Sequence, residues 1–158
     1  MTRVTIVTPS FNQAAYLEAT IQSVLSQDYE DIEYFIMDGG STDGSLEIIH
    51  KYADRLAGWV SEKDRGQTDA INKGFARASG EVLAWLNSDD TFEPGAVRQA
   101  VELLEQHPEV SMVYGDCNYI DESGQVIGRF PAAQTDYRRL REGYVHIPQQ
   151  ASFFRAEL

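Results

Sequence analysis

Val82-Leu83-Ala84-Trp85-Leu86-Asn87-Ser88-Asp89-Asp90 is an apolar run that stops at an amide, a hydroxyl and two adjacent carboxylates. A short apolar run bounded in this way reads as a buried strand carrying acidic oxygens to the mouth of a sheet, where hard divalent cations are held. In isolation the same residues also describe a solvated turn. Two other segments repeat the pattern. Val4-Thr5-Ile6-Val7 leads into Thr8-Pro9-Ser10-Phe11-Asn12, and Ile32 to Met37 leads into Asp38-Gly39-Gly40-Ser41-Thr42-Asp43. Three polar clusters at three strand ends can converge on one edge.

Helical spacing fills the gaps between these strands. Leu17, Ile21, Val24 and Leu25 recur on one face, with Asn12 as the candidate N-cap. Leu46, Ile49 and Ala53 mark a second helix, Trp59-Val60 a short third strand, and Gln67 to Ala78 a third helix. Val97, Ala100, Val101 and Leu104 define a fourth helix, with Pro94 in its first turn and Pro108 ending it. Beyond it come a strand over Val110 to Tyr119, a turn over Glu122 to Gln125, a strand at Val126-Ile127-Gly128, a short helix over Asp136 to Arg141, and a last strand at Ala151 to Phe154. Alternating βα units imply an α/β fold with a largely parallel sheet and helices on both faces. No linker or repeat divides residues 1–158, so one domain is expected. Phe154 to Leu158 stops as a further helix begins, which reads as a domain incomplete at its C-terminus.

The chain has 158 residues, 42% hydrophobic and 24% charged, enough to bury a core. Thirteen basic residues against twenty-five acidic ones give a net charge of −12. That balance argues against nucleic acid as a partner, because phosphate backbones require a basic surface. It also means that an anionic ligand at an acidic site needs a bridging cation. Cys117 is the single cysteine, so an internal disulfide and a cysteine-based zinc site are both excluded. No apolar run approaches the ~18 residues that cross a bilayer, and the N-terminus lacks a signal-peptide core. A cytoplasmic address is expected.

In open parallel sheets ligands sit outside the carboxyl ends of the strands, which is where all three clusters fall. Asp38 and Asp43 are acceptors suited to a uracil-type ring N–H or to ribose hydroxyls. Asp43 alternatively caps the second helix. Thr8 and Asn12 can meet the base from the other side, beside the loop residues Pro9 and Ser10. Asp89, with Asp90 next to it, offers hard oxygen to Mg2+ or Mn2+, which neutralises a departing diphosphate. Asp69 is either an N-terminal helix charge or a group facing the nucleotide or sugar. Lys73 is either solvated or a phosphate contact.

These residues carry a resemblance. The stretch from Arg3 to Leu158 resembles a family 2 glycosyltransferase of GT-A type, with a Rossmann-like, mostly parallel sheet. Val7 to Asn12 is similar to that family's first nucleotide loop, and Asp38 to Asp43 to its second. Gly66 to Gly74 with Ala78 to Glu81 resembles the segment leading to the metal motif. Pro148-Gln149-Gln150-Ala151-Ser152-Phe153-Phe154 resembles the stretch before the acceptor side. The resemblance implies nucleotide-sugar contacts at Thr8, Pro9, Ser10, Asn12, Asp38, Gly40, Ser41, Asp43, Asp69, Asn87 and Ser88, and metal contacts at Asp89 and Asp90. It implies transfer, with inversion, from a nucleotide-diphosphate sugar, with UDP the expected nucleotide, to a hydroxyl of a glycan or lipid-linked acceptor. It further implies polysaccharide or lipid-linked glycan synthesis at the inner membrane face.

Two departures stand out. The family's Asp-x-Asp motif is Asn87-Ser88-Asp89 here, so its first carboxylate is an amide. The family's catalytic base falls after Leu158. A donor-binding module without turnover is therefore a rival reading. A sugar nucleotidyltransferase is less well supported, because Pro9-Ser10-Phe11-Asn12-Gln13 lacks a glycine-rich basic loop. A receiver domain lacks its strand-end lysine. His146 is a weaker candidate for lining an acceptor cleft, Asp116 and Asp121 flank a strand and are weaker candidates facing the sugar, and Tyr137 to Arg141 is either an ordinary surface helix or a basic spot able to meet anionic lipid or an acceptor phosphate. An incomplete domain would expose apolar surface near Phe153-Phe154 and favour self-association.

Overall fold

The computed structural model describes residues 1–144 and 146–157. Four strands run parallel: β1 (Val4–Ser10), β2 (Ile32–Asp38), β3 (Gly58–Ser61) and β4 (Val82–Trp85). Helices α1 (Ala14–Leu25), α2 (Ser45–Tyr52) and α3 (Gln67–Phe75) connect them, and α4 (Ala96–Gln106) follows β4. A short strand β5 (Met112–Tyr114) and the late strand β8 (Ser152–Arg155) complete a six-stranded sheet ordered β3-β2-β1-β4-β8-β5. Strand β8 is antiparallel to both of its neighbours. The hairpin β6 (Cys117–Ile120) and β7 (Val126–Phe130) stands apart, followed by α5 (Tyr137–Arg141).

Residue parity divides the core. Val4, Ile6, Tyr34, Ile36, Val82 and Ala84 face α1, α2 and α4 in the larger cluster. Val7, Phe35, Met37 and Trp85 point the other way, against Ala70 and Phe75 of α3. Both faces are covered, so the strands read as continuous apolar runs although each alternates between two cores.

Several elements differ from expectation. Asn12 does not cap α1; Gln13 holds the cap position, and Ala14 N donates instead to Asp43 Oδ2 at 2.9 Å. Helix α3 ends at Phe75 because Ser79 N turns to Glu33 (2.8 Å) and Gly80 N to Thr5 Oγ1 (3.0 Å). Pro94 lies ahead of α4, whose cap position is Gly95 at φ +79°. The strand expected over Val110 to Tyr119 breaks at Gly115-Asp116, where Gly115 N bonds Ala151 O and Asp116 is held by Ala132 N and Arg129. The expected terminal helix is absent among the described residues. Arg155 closes β8, Ala156 N bonds Glu81 O, and Leu158 lies outside the described residues. Phe153 and Phe154 are themselves packed, while apolar surface near them stays exposed at Leu103 and Ile120. Phe153 stacks on Phe92 with ring centroids 5.3 Å apart, and Phe154 meets Trp85 and Phe75 edge-on. No helix among the described residues is long and apolar enough to cross a membrane.

Candidate functional site

Parallel register brings the polar clusters to one edge. Ser10 pairs with Asp38 across β1 and β2, and Leu86 N bonds Val7 O where β4 leaves the sheet. Their loops enclose a cavity of about 760 Å3, lined among others by Pro9, Ser10, Phe11, Gly39, Gly40, Asn87, Ser88 and Asp89. That volume lies within the usual span for small-molecule sites. Glycine is required on its wall at one point, Gly40, and its neighbour Gly39 makes a close approach to a side chain. Gly40 sits at φ +85°, and a Cβ on Gly39 would stand 2.9 Å from Asp64 Oδ2.

Asp38 shapes this loop from beneath. It is 2% exposed, and its Oδ2 accepts from Gly40 N (3.0 Å), Ser41 N (2.9 Å) and Ser61 Oγ (2.7 Å), while Ser41 Oγ donates to Oδ1. Thr8 lies in the core, its hydroxyl 2.9 Å from that of Tyr34. Asn12 adopts φ +54° and ties two loops together: its N donates to Ser41 Oγ (2.8 Å) and its Oδ1 accepts from Thr42 N (2.9 Å). Asp43 receives Ser45 Oγ (2.6 Å) and N (3.1 Å) on one oxygen and Ala14 N on the other. The Ser45 hydroxyl, then Ala14 N–H, hold its carboxyl below the usual range. It therefore fastens the starts of two helices.

Asp69 also lies outside the lining. Arg65 (2.9 Å) and Lys73 (3.4 Å) pair with it, and the Arg65 hydrogen bond leads in lowering its pKa to about 2. Lys73 is further engaged by Glu62 at 2.8 Å.

Several lining residues escaped the sequence reading. Gln13, Lys63, Asp64 and Gln67 reach the cavity, and Lys63 is the only cation on its wall among the described residues. The signal for Lys63 was its place after β3, the fourth strand end at the same edge, which overturns the expectation that no strand-end lysine stands near the acidic clusters. Ser10 Oγ is buried on this wall without a hydrogen-bond partner among the described residues.

The end of β4 holds an amide network. Gln67 Nε2 donates to Asn87 Oδ1 (2.6 Å), and Asn87 Nδ2 donates to Asp90 Oδ2 (3.1 Å) and Gln149 Oε1 (3.0 Å). Gln149 Nε2 in turn reaches Trp85 O at 2.7 Å. An aspartate at position 87 could make neither donation. Asp89 is exposed and faces the cavity. Asp90 is half-buried; burial raises its pKa, the Asn87 hydrogen bond opposes this, and the Asp89 charge adds to it. Among the described residues no group of three or more His, Cys, Asp or Glu is placed to hold a metal ion. The donor set fits a cation only in the manner of Mg2+ or Mn2+, one carboxylate from Asp89 with the rest supplied by phosphate oxygens and water.

A six-stranded, mostly parallel sheet with its cavity at the strand ends and an acidic β4 loop is the GT-A architecture. Residues 5–157 match the family model for glycosyl transferase family 2, and the chain belongs to that family. It is 37% identical to an uncharacterized glycosyltransferase of Mycobacterium tuberculosis over 98% of this chain and 59% of that protein. A PGL/p-HBAD biosynthesis glycosyltransferase of Mycobacterium bovis is 31% identical over 97% of this chain and 59% of its own length. The chain thus spans about three-fifths of the curated relatives it matches. In structure it is similar to S. aureus TarS 1-349 in complex with UDP-GlcNAc, at TM-score 0.76 and 18% identity over 98% of this chain and 45% of that one. It also resembles the mannosyltransferase PcManGT from Pyrobaculum calidifontis in complex with GDP-Man and Mn2+, at TM-score 0.72 and 22% identity over 99% and 45%.

Proposed function

We propose that the chain is the donor-binding part of a glycosyltransferase that uses a nucleotide-diphosphate sugar, with UDP as nucleotide. The observation that carries this reading is the meeting of four strand ends on one cavity, with Asp89 on its wall and Ser10 Oγ awaiting a partner. Solved structures of the same fold hold UDP-GlcNAc and GDP-Man with Mn2+, which supports a nucleotide-sugar ligand for this edge. One lysine against Asp64 and Asp89 leaves the wall acidic. A diphosphate there needs a divalent cation, Mg2+ or Mn2+, held by Asp89 and adjoined by Asp90. When bound, that ion neutralises the leaving diphosphate.

In the reaction proposed, an acceptor hydroxyl oxygen bonds to the anomeric carbon with inversion and the bond from that carbon to the diphosphate breaks. The hydroxyl proton passes to a base outside the residues assigned here. The acceptor is a glycan or lipid-linked glycan made at the cytoplasmic face of a membrane, a reading that rests on family likeness.

A melting panel of UDP, GDP, dTDP and CDP, each with Mg2+, Mn2+ or chelator, tests the donor reading. Saturation near 100 times Kd adds about 2.7 kcal/mol, a rise of about 5–10 °C for a domain of this size. UDP with metal should give that rise and chelator should reduce it. Asp89→Ala should abolish the metal dependence. No shift with any nucleotide overturns the assignment, and UDP binding without sugar transfer favours the non-catalytic module.

A further inference from the structure

The loop after β4 is tied to two distant parts of the chain by side-chain amides. Gln67, the first residue of α3, donates from Nε2 to Asn87 Oδ1 at 2.6 Å. Gln149, in the short turn ahead of β8, accepts from Asn87 Nδ2 at 3.0 Å and donates from its own Nε2 to Trp85 O at 2.7 Å. The remaining Nδ2 hydrogen goes to Asp90 Oδ2 at 3.1 Å. Backbone groups fix the same loop from within the fold. Asp90 N donates to Asn87 O (3.1 Å), buried Thr20 Oγ1 to Asp90 O (2.8 Å), and Phe92 N to Ser23 Oγ (3.1 Å).

Although Asn87 lines the cavity, these bonds occupy its side chain. An amide nitrogen carries two hydrogens, and both are committed, while the carbonyl oxygen already accepts from Gln67. An ionised Asp90 only accepts, so the nitrogen of Asn87 must face it and the oxygen cannot turn that way. A carboxylate at position 87 would lose both donations and set a like charge against Asp90. Asp89 is exposed on the cavity wall, whereas among the described residues neither Asp90 nor Gln149 lines it.

We propose that Asn87 is a positioning residue and not a cation ligand: clamped between Gln67 and Gln149, it orients the acidic loop so that Asp89 alone faces the ion on the diphosphate. The inference rests on the donor reading of the cavity. It gives Gln149, 62 residues further along and off the cavity wall, a share in the same task. The two roles predict opposite signs for Asn87→Asp. A ligand would gain charge toward the cation, whereas a clamp loses both of its donors.

Calorimetry reads the affinity for UDP in Mn2+, and saturation-transfer NMR reads the weaker affinity in chelator. Asn87→Asp and Gln149→Ala should each weaken UDP in Mn2+ by about tenfold and leave UDP in chelator within about twofold of wild type. Adding Gln149→Ala to Asn87→Ala should change the affinity by no more than about twofold, because the two side chains share one clamp. Gln149→Ala alters no residue of the acidic loop and carries the test if Asn87→Asp does not fold. Tighter UDP binding in Mn2+ by Asn87→Asp, or an unchanged affinity in Gln149→Ala, overturns the proposal and leaves the donor reading standing. Equal losses in Mn2+ and in chelator also overturn it, because the clamp would then serve the fold and not the cation-facing loop. Wild-type affinity that is the same in Mn2+ and chelator overturns the cation assignment and the proposal together. No UDP binding in either condition overturns the donor reading beneath both.

Discussion

Replacing Asp38 by alanine removes a carboxylate shared by four donors, and the hydrogen-bond pattern sets the size of the loss. The hydroxyls of Ser41 and Ser61 can rotate to other acceptors, but the N–H groups of Gly40 and Ser41 are fixed in the backbone. Two orphaned amides at about 1–3 kcal/mol each bound the cost, and water reaching the half-buried Gly40 and Ser41 brings it to about 2–4 kcal/mol. Asparagine should behave differently. Its carbonyl oxygen can take the Oδ2 position, where both amides point, and its NH2 can donate to Ser41 Oγ, so the loss should stay below about 1.5 kcal/mol. Urea unfolding of both variants, compared at constant m-value, measures the two costs, and calorimetry with UDP and Mn2+ measures binding. Asp38→Ala should lose stability and affinity together, and Asp38→Asn should keep most of both. Wild-type stability in Asp38→Ala combined with lost binding would refute the argument, since the carboxylate would then act on the ligand and not on its own loop.

Other outcomes follow from local geometry. A Cβ on Gly74 would stand 2.4 and 2.7 Å from the two Cγ atoms of buried Val7. Gly74→Ala should therefore destabilise by about 1–2 kcal/mol, because overpacking outweighs the gain in helix propensity. Combining it with Val7→Ala should recover at least about 1 kcal/mol relative to the sum of the singles, and strict additivity counts against the contact. Asp69 is held at about 2 against an ordinary 3.8, so its contribution is full above about pH 4 and fades as pH falls toward 2. The stability gap between wild type and Asp69→Asn should close over that interval, and a gap that widens on acidification contradicts the Arg65 pairing. If α5 meets anionic lipid, Arg138→Glu with Arg141→Glu should cut cosedimentation with phosphatidylserine-rich vesicles. Equal sedimentation removes the membrane contact.

The parallel half of the fold was legible because each strand run ends in a distinct polar cluster and each helix repeats its apolar face. Past α4 the signal fails. The β6–β7 hairpin has little core to pack on, so its residues do not alternate cleanly, and the expected strand over Val110 to Tyr119 spans two sheets. Nothing local to Ser152–Arg155 says that it slots between β4 and β5; that depends on pairing across about seventy intervening residues. In the site, sequence pointed to the correct edge but could not sort lining from scaffold. Asp38 and Asp43 look alike as loop acids, yet one is nearly fully buried under Gly40 and the other bridges two helix starts. Lys63 was overlooked between two acids because only the backbone turn after β3 brings it to the cavity.

Among the described residues β5 pairs with β8 alone, and β8 follows it by about forty residues. During synthesis the β3-β2-β1-β4 block can assemble while β5 waits, its backbone amides satisfied only by water until Arg155 has left the ribosome. The Gln149 turn that braces Asn87 arrives on the same schedule. The acidic loop is made early, and its brace comes only as β8 is made.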